Sequence, residues 1–362
     1  MNYKVMNYKS MRFRKYYDAI RTNQSFSKTS LKQKAKIITN VMKFLRIQSK
    51  KPLIIKNKPV TAQIEPTSLC NLGCRFCVRT KMGVPFGSMS FEIFKKILDK
   101  LDCLFKINLS GQGELFLNKE IFDMIRYANN RGILINISTN GTLLTKDVID
   151  KICQVDIGEI GISVDSTKKE KYEKVRINAN FGELMKNIKN LTEEIKKRKR
   201  KTIVSIAPII FKNNIEELPE FVELGHKLGV NKISFQTLQT KENFFNSYDK
   251  EMKSQIVTSD SESVKLKEKM IEAKELGDTY GITIIFDEDE SPGCIWPWRG
   301  IYIAYNGDVT ACCKITESKE FELGNIIKQN FWEVWNGEKY QELRKLLKER
   351  KAPPACVGCN RV

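Results

Sequence analysis

From about residue 60 the chain alternates short apolar runs of β type with amphipathic repeats of helical type. Strand-like runs occur at Val60–Ile64, Ile107–Leu109, Ile133–Ser138, Glu159–Val164, Thr202–Ile210 and Lys232–Gln236. Between most of them, apolar residues recur at helical spacing over Phe91–Leu101, Lys119–Asn129, Lys146–Cys153, Glu183–Lys197 and Ile215–Leu228. Ser90, Asn118 and Thr145 stand where helix N-caps belong. Such alternation predicts an α/β fold of parallel β/α units. Six units close only part of a circle, so the expectation is an open, partial (β/α)6 barrel. In parallel barrels the chemistry sits where strands run into loops, which says where functional residues should fall.

The rhythm divides the chain. Residues 1–59 form a basic helical extension, 60–240 the barrel core, 241–290 a polar, helix-rich bridge and 291–362 a small C-terminal domain. In the extension, Leu31, Ala35, Ile38, Met42 and Leu45 recur at helical spacing, with Lys32, Lys36, Lys43 and Arg46 around the turn. The plainer reading is a helix docking this stripe on the core. The alternative is an interfacial helix that meets anionic lipid, nucleic acid or an acidic partner. The bridge ends in a strand at Ile282–Phe286 and the acidic run Asp287–Glu290. In the last domain, Tyr302–Tyr305 and Val309–Cys312 flank Asn306-Gly307, a strong hairpin signal, and a helix is expected over Phe331–Leu347.

Charge and composition narrow the classes. The net charge is +19, yet residues 1–60 hold 16 Lys or Arg against the single acid Asp18, so the body is nearly balanced. No run reaches the ~18 consecutive apolar residues of a membrane span. The N-terminus lacks the apolar core of a secretory signal, so a cytoplasmic protein is expected. In a reducing compartment, ten cysteines with several at C-x-x-C-type spacing suit thiolate ligands better than disulfides. The lone histidine, His226, sits in a helical pattern and receives no role.

Cys70, Cys74 and Cys77 follow the first strand at C-x3-C-x2-C spacing, with Phe76 just before the third. Three thiolates on one loop can wrap an iron–sulfur cluster and leave one iron open; a zinc knuckle is the competing reading and would want a fourth nearby ligand. Gly111-Gln112-Gly113-Glu114 follows the second strand, Ser138-Thr139-Asn140-Gly141 the third, and Ser163-Val164-Asp165 the fourth, with Arg176 beyond. In this order the motifs resemble the radical S-adenosylmethionine (SAM) superfamily over about residues 60–240. The resemblance implies a SAM-binding [4Fe–4S] cluster on Cys70, Cys74 and Cys77. It implies SAM contacts from Phe76, Gly111, Gly113, Thr139 and Asn140, with Glu114 at the amino group, Ser163 and Asp165 at the ribose and Arg176 at the carboxylate. Leu115 stands where the family often has proline.

A second set, Cys294, Cys312 (or Cys313), Cys356 and Cys359, resembles the auxiliary-cluster domains called SPASM and twitch. The resemblance implies one auxiliary [4Fe–4S] cluster, a zinc ribbon being the competing reading. Cys103 and Cys153 fall in helical contexts and read as buried apolar-like residues. The implied reaction begins with an electron from a flavodoxin- or ferredoxin-type donor. SAM is then cleaved to a 5′-deoxyadenosyl radical, which abstracts hydrogen from a substrate. An auxiliary cluster acting as electron acceptor suggests oxidation of a small polar metabolite such as a sugar or cyclitol. Modification of a peptide or protein is the alternative, and a non-enzymatic iron–sulfur or zinc-binding interaction module a third class. No catalytic base is assigned.

Overall fold

One parallel ladder carries the site. This computed structural model describes residues 16, 20, 23–80, 85–238, 240, 242–287, 293–312 and 321–359. Strands β1 (Thr61–Ile64), β2 (Lys106–Leu109), β3 (Leu134–Thr139), β4 (Glu159–Ile162), β5 (Ile203–Ile206) and β7 (Lys232–Thr237) pair in that order, all parallel. This is the partial barrel expected of six β/α units. A short strand β6 (Ile209–Ile210) and β8 (Thr283–Phe286) both pair parallel to β7.

Period-two alternation gives the sheet an apolar and a polar face. Ile107, Leu109, Ile135, Ile137, Ile160, Ile162, Val204 and Ile206 are buried in the main core, which also takes the apolar sides of helices Phe91–Lys100, Ile121–Asn130, Lys146–Ile152, Phe181–Lys197 and Leu218–Leu228. Along the other face Gln63, Asn108, Asn136 and Glu159 stand in register across four strands. Glu159 accepts from Ser205 Oγ at 2.9 Å and pairs with Lys232 at 2.5 Å. This half-buried face is polar.

The C-terminal domain shares the sheet. Strand β9 (Gly300–Ile303) pairs parallel with the free side of β1, and β10 (Asp308–Thr310) and β11 (Gly324–Asn325) extend it antiparallel. The β9–β10 hairpin turns through Asn306 and Gly307, whose φ of +88° needs glycine. The β9 strand ends two residues earlier than Tyr305, because the turn starts at Ala304, whose N–H donates to Asp308 O at 2.8 Å.

Elsewhere the chain departs from its pattern for local reasons. Thr202–Ile210 is two strands, broken at Ala207–Pro208, where proline has no N–H for the ladder, and Ile209 N–H just beyond donates to the Asp165 carboxylate, 2.9 Å away. The helix expected over Phe331–Leu347 breaks into Phe331–Trp335 and Glu338–Lys348. At the break, Asn336 exchanges two 2.9 Å hydrogen bonds with the backbone of Ile55. Asn118 caps no α-helix directly; its Oδ1 accepts from Glu120 N at 2.9 Å, and the helix begins at Ile121.

The helix Leu31–Ile47 docks, but not by the expected stripe. Ile37, Asn40, Val41 and Phe44 are the buried residues; of the expected stripe Leu45 is half-buried against the core, whereas Leu31, Ala35, Ile38 and Met42 are exposed. A buried asparagine decides the orientation. Asn40 Nδ2 donates to the carbonyls of Lys58, Pro59 and Cys103, and its Oδ1 accepts from Lys58 N–H. Those carbonyls lie just ahead of β1 and β2, so the helix seals the N-terminal end of the barrel. Among the described residues no helix is long and apolar enough to cross a membrane. Asn40→Ala strands several of these groups and should cost about 1–3 kcal/mol, read as a lower urea midpoint; an unchanged midpoint would show that the carbonyls find other partners.

Candidate functional site

The loop after β1 carries Cys70, Cys74 and Cys77 as free, half-buried thiols. Backbone bonds hold it against the end of the helix Lys169–Val175 in the β4–β5 crossover: Gly73 N–H donates to Ile177 O at 3.1 Å and Arg75 N–H to Val175 O at 2.9 Å. Outside, Arg75 forks onto Asp249 (2.9 Å) and Glu251 (2.8 Å). Beneath, Val78, Val175, Phe211, Tyr248 and Met252 form a second apolar cluster with Phe76 packed against it. The bridge segment therefore braces the cysteine loop, a contact absent from the linear pattern.

Burial raises the Cys74 thiol to about 11 against the opposing pull of Arg176. Burial also raises Cys77, opposed by the Arg79 backbone amide. Iron binding deprotonates such thiols, and thiolates in this setting gain from a nearby cation. Arg176 supplies one. Its Nη1 lies 3.7 Å from Cys74 Sγ and its guanidinium sits 5.3 Å over the Phe76 ring.

The strand-end residues converge on this loop with partners the sequence does not reveal. Glu114 is 1% exposed. It accepts from Thr139 Oγ1 and Asn140 N–H, both at 2.7 Å, and from Phe116 N–H at 3.3 Å. Burial raises its pKa despite these donors. Its carboxylate thus links two loops. Asn140 in turn donates to Asn71 Oδ1 at 2.9 Å and reaches Cys70 Sγ at 3.9 Å.

Asp165 and Arg176, expected at two ends of SAM, pair with each other at 2.5 Å. Burial opposes the charge on Arg176, and Asp165 with Cys74 and Tyr172 together outweigh it, raising the pKa so that the guanidinium stays protonated. The second Asp165 oxygen takes Ile209 N–H. Being 1% exposed, Asp165 serves as an anchor for Arg176. Ser163 stays half-buried, its N–H donating to Thr139 O at 3.0 Å.

Glycine is required at Gly113. A Cβ there would come within 2.3 Å of Leu69 O and 2.4 Å of Thr67 O, the backbone of the cysteine loop's entry. At Gly111 it would meet Glu65 Cγ at 2.3 Å. Glu65, overlooked in the sequence, is 2% exposed and accepts from Gln112 N–H at 2.7 Å and Tyr302 Oη–H at 3.0 Å. Its burial raises its pKa, with these bonds opposing. An acid directly after an apolar strand, five residues before Cys70, was the available signal.

The second cysteine set lies on the C-terminal elements. Cys356 is buried, Cys294, Cys312 and Cys359 are half-buried, and the first three pack against the main core. Cys359 N–H donates to Cys356 O at 3.0 Å, and Cys312 lies close enough to Tyr340 to influence its hydroxyl. Arg344 Nε bonds Pro297 O at 3.0 Å, clamping the helix after Cys294 onto the terminal helix. Cys313 and Glu288–Glu290 lie outside the described residues. Cys103 and Cys153 are buried, as expected. His226 is exposed and stacks on Tyr280 at 4.3 Å.

Residues 64–225 match the radical SAM superfamily, and residues 294–360 match SPASM, an iron-sulfur cluster-binding domain. Similar chains include the tungsten-containing aldehyde ferredoxin oxidoreductase cofactor-modifying protein of Pyrococcus furiosus, 24% identical over 82% of this chain and 86% of that one. The antilisterial bacteriocin subtilosin biosynthesis protein AlbA of Bacillus subtilis is 26% identical over 77% of this chain and 60% of that one. In structure, Streptococcus suis SuiB bound to precursor peptide SuiA superposes with a TM-score of 0.67 at 15% identity, over 84% of this chain and 71% of that one. At that identity the likeness concerns the fold alone. The two domains imply a SAM-binding [4Fe–4S] cluster and auxiliary iron–sulfur binding; three thiols on one loop with Arg176 3.7 Å from Cys74 are donors of suitable chemistry, although among the described residues no three such side chains are drawn together as a metal-binding group.

Gly113→Ala should destabilise the protein by about 1–3 kcal/mol, since backbone must move. Gly73→Ala, whose Cβ would meet only Ile177 Cβ at 3.8 Å, should be neutral in the same thermal melt. Equal melting temperatures for the two variants would contradict the close approach.

Proposed function

We propose that this chain, which carries a radical SAM domain followed by a SPASM domain, is a maturase that uses SAM to modify a peptide precursor. The observation that supports the radical half is one strand-end loop bearing three half-buried thiols, with Asn140 reaching Cys70 and Arg176 reaching Cys74. When bound, the cluster and SAM supply a 5′-deoxyadenosyl radical that removes hydrogen from the substrate.

In this reading Cys70, Cys74 and Cys77 hold the SAM-binding cluster, and Cys294, Cys312, Cys356 and Cys359 the auxiliary one. Gly111 and Gly113 bring backbone close to the ligand, and Glu114 fixes the Thr139–Asn140 turn beside it. Asp165 orients Arg176, whose charge offsets that of the cluster near Cys74, and Phe76 supports the guanidinium from its ring face. Ser163 is the remaining polar group at that strand end. The half-buried polar strand face offers hydrogen-bond partners to a substrate backbone. A flavodoxin- or ferredoxin-type protein is the proposed electron donor.

For the substrate, relatives named for bacteriocin biosynthesis and mycofactocin maturation favour a peptide over the sugar or cyclitol suggested by an electron-accepting auxiliary cluster. Oxidation through the auxiliary cluster stays part of the proposal. Its test is co-expression with a precursor peptide encoded beside the gene. A mass change in that peptide, coupled to 5′-deoxyadenosine, is expected; 5′-deoxyadenosine coupled only to a free sugar would contradict it.

A triple Cys70→Ala, Cys74→Ala, Cys77→Ala variant should make no 5′-deoxyadenosine and fall from about eight irons per chain to about four. Unchanged iron would overturn the ligand assignment. Arg176→Ala removes a positive charge beside Cys74, so the cluster's reduced form loses stabilisation. Its midpoint potential, followed by EPR, should become more negative, with Arg176→Lys between; no shift would leave Arg176 a packing residue.

A further inference from the structure

The helix Leu31–Ile47 is apolar on two sides, and only one is used. Ile37, Val41 and Phe44 pack into the core beside the Asn40 hydrogen bonds. The other side carries Leu31, Ala35, Ile38 and Met42, spaced by four, three and four residues, which aligns them in one stripe. Leu31 is 82% exposed, Ile38 43% and Met42 36%. Single exposed apolar residues need no account, but an aligned row on one helix does.

The row is bordered by cations. Lys32, Lys36, Lys43 and Arg46 are all exposed on the same helix. Of these, Lys36 also pairs with Asp102 at 2.8 Å. Residues 1–60 as a whole hold 16 basic residues and one acid. Nucleic acid would answer the charge but not the Leu, Ile and Met row. An apolar groove on another protein would answer the row but not so large an excess of charge. An anionic bilayer surface answers both: the apolar side chains enter the boundary between headgroups and acyl chains, and the cations meet lipid phosphates.

We propose that the helix Leu31–Ile47 is an interfacial helix that holds the protein on an anionic membrane surface. Position in the fold agrees. The helix closes the N-terminal end of the strands through Asn40, whereas the cysteine loop, Glu114 and Asn140 lie past their C-terminal ends. Docked this way, the protein turns its cysteine loop away from the bilayer, open to substrate and electron donor.

The test is sedimentation of the full-length chain with vesicles of phosphatidylcholine alone or mixed with phosphatidylglycerol. Binding is expected to the mixed vesicles only and should fall as salt rises. A Leu31→Ser, Ile38→Ser, Met42→Ser variant should bind about tenfold more weakly or worse. Lys32→Glu, Lys43→Glu, Arg46→Glu should behave alike, both variants keeping the wild-type melting temperature and iron content. Wild-type protein that stays in the supernatant with anionic vesicles overturns the proposal, as does a triple-serine variant that binds like wild type. Dimerisation by light scattering that the serine variant abolishes, without vesicle binding, overturns it too and gives the face to self-association.

Discussion

The catalytic end of the molecule depends on one buried carboxylate. Glu114 accepts two 2.7 Å hydrogen bonds from the Thr139–Asn140 turn, while its own N–H donates to Leu69 O at 2.8 Å. Three strand-end loops are therefore tied at a single residue: the one before Cys70, the one after β2 and the one after β3. Burial makes the charge costly, and donors from the neighbouring Thr139–Asn140 turn, with Phe116 N–H and the Arg176 charge, work against that cost. The acid thus holds the loops together in the geometry that lets Asn140 face Cys70.

A second buried acid repeats the device on the other side of β1. Glu65 receives Gln112 N–H from the β2 loop and the Tyr302 hydroxyl from β9. Since β9 belongs to the C-terminal domain yet pairs with β1, the two cysteine-bearing regions share one sheet and one buried hydrogen-bond path. Arg344 completes the join with bonds to Pro297 O and Leu53 O. Burial lowers its pKa to about 10, a cost accepted where a guanidinium braces three chain segments. The relative placement of the two regions is thus built into the sheet and does not rest on a linker.

Much of this was legible in the chain. Short apolar runs of β type marked the strands of the barrel, and the cysteine loop announced itself by spacing. Gly113 was legible as a close approach, though not what it approaches. The rest depended on groups distant in sequence. Nothing local tells that Asp165 will take Arg176 and Ile209 N–H. Nor does local pattern show that Asn336 will pair with Ile55 and split a helix. In the helix Leu31–Ile47 the stronger-looking stripe lost to the face bearing Asn40, because its amide satisfies three carbonyls left at the barrel's base. Apolar periodicity counts side chains; it does not count the backbone groups that must also be satisfied.

The central claim is that these strand-end loops assemble one SAM-binding iron–sulfur site at Cys70, Cys74 and Cys77. The direct measurement is EPR of the anaerobically reconstituted, chemically reduced protein with and without SAM. The account predicts a reduced-cluster signal whose line shape changes when SAM is added, and loses that change when the three cysteines are replaced. A cluster signal indifferent to SAM in the wild-type protein would contradict it.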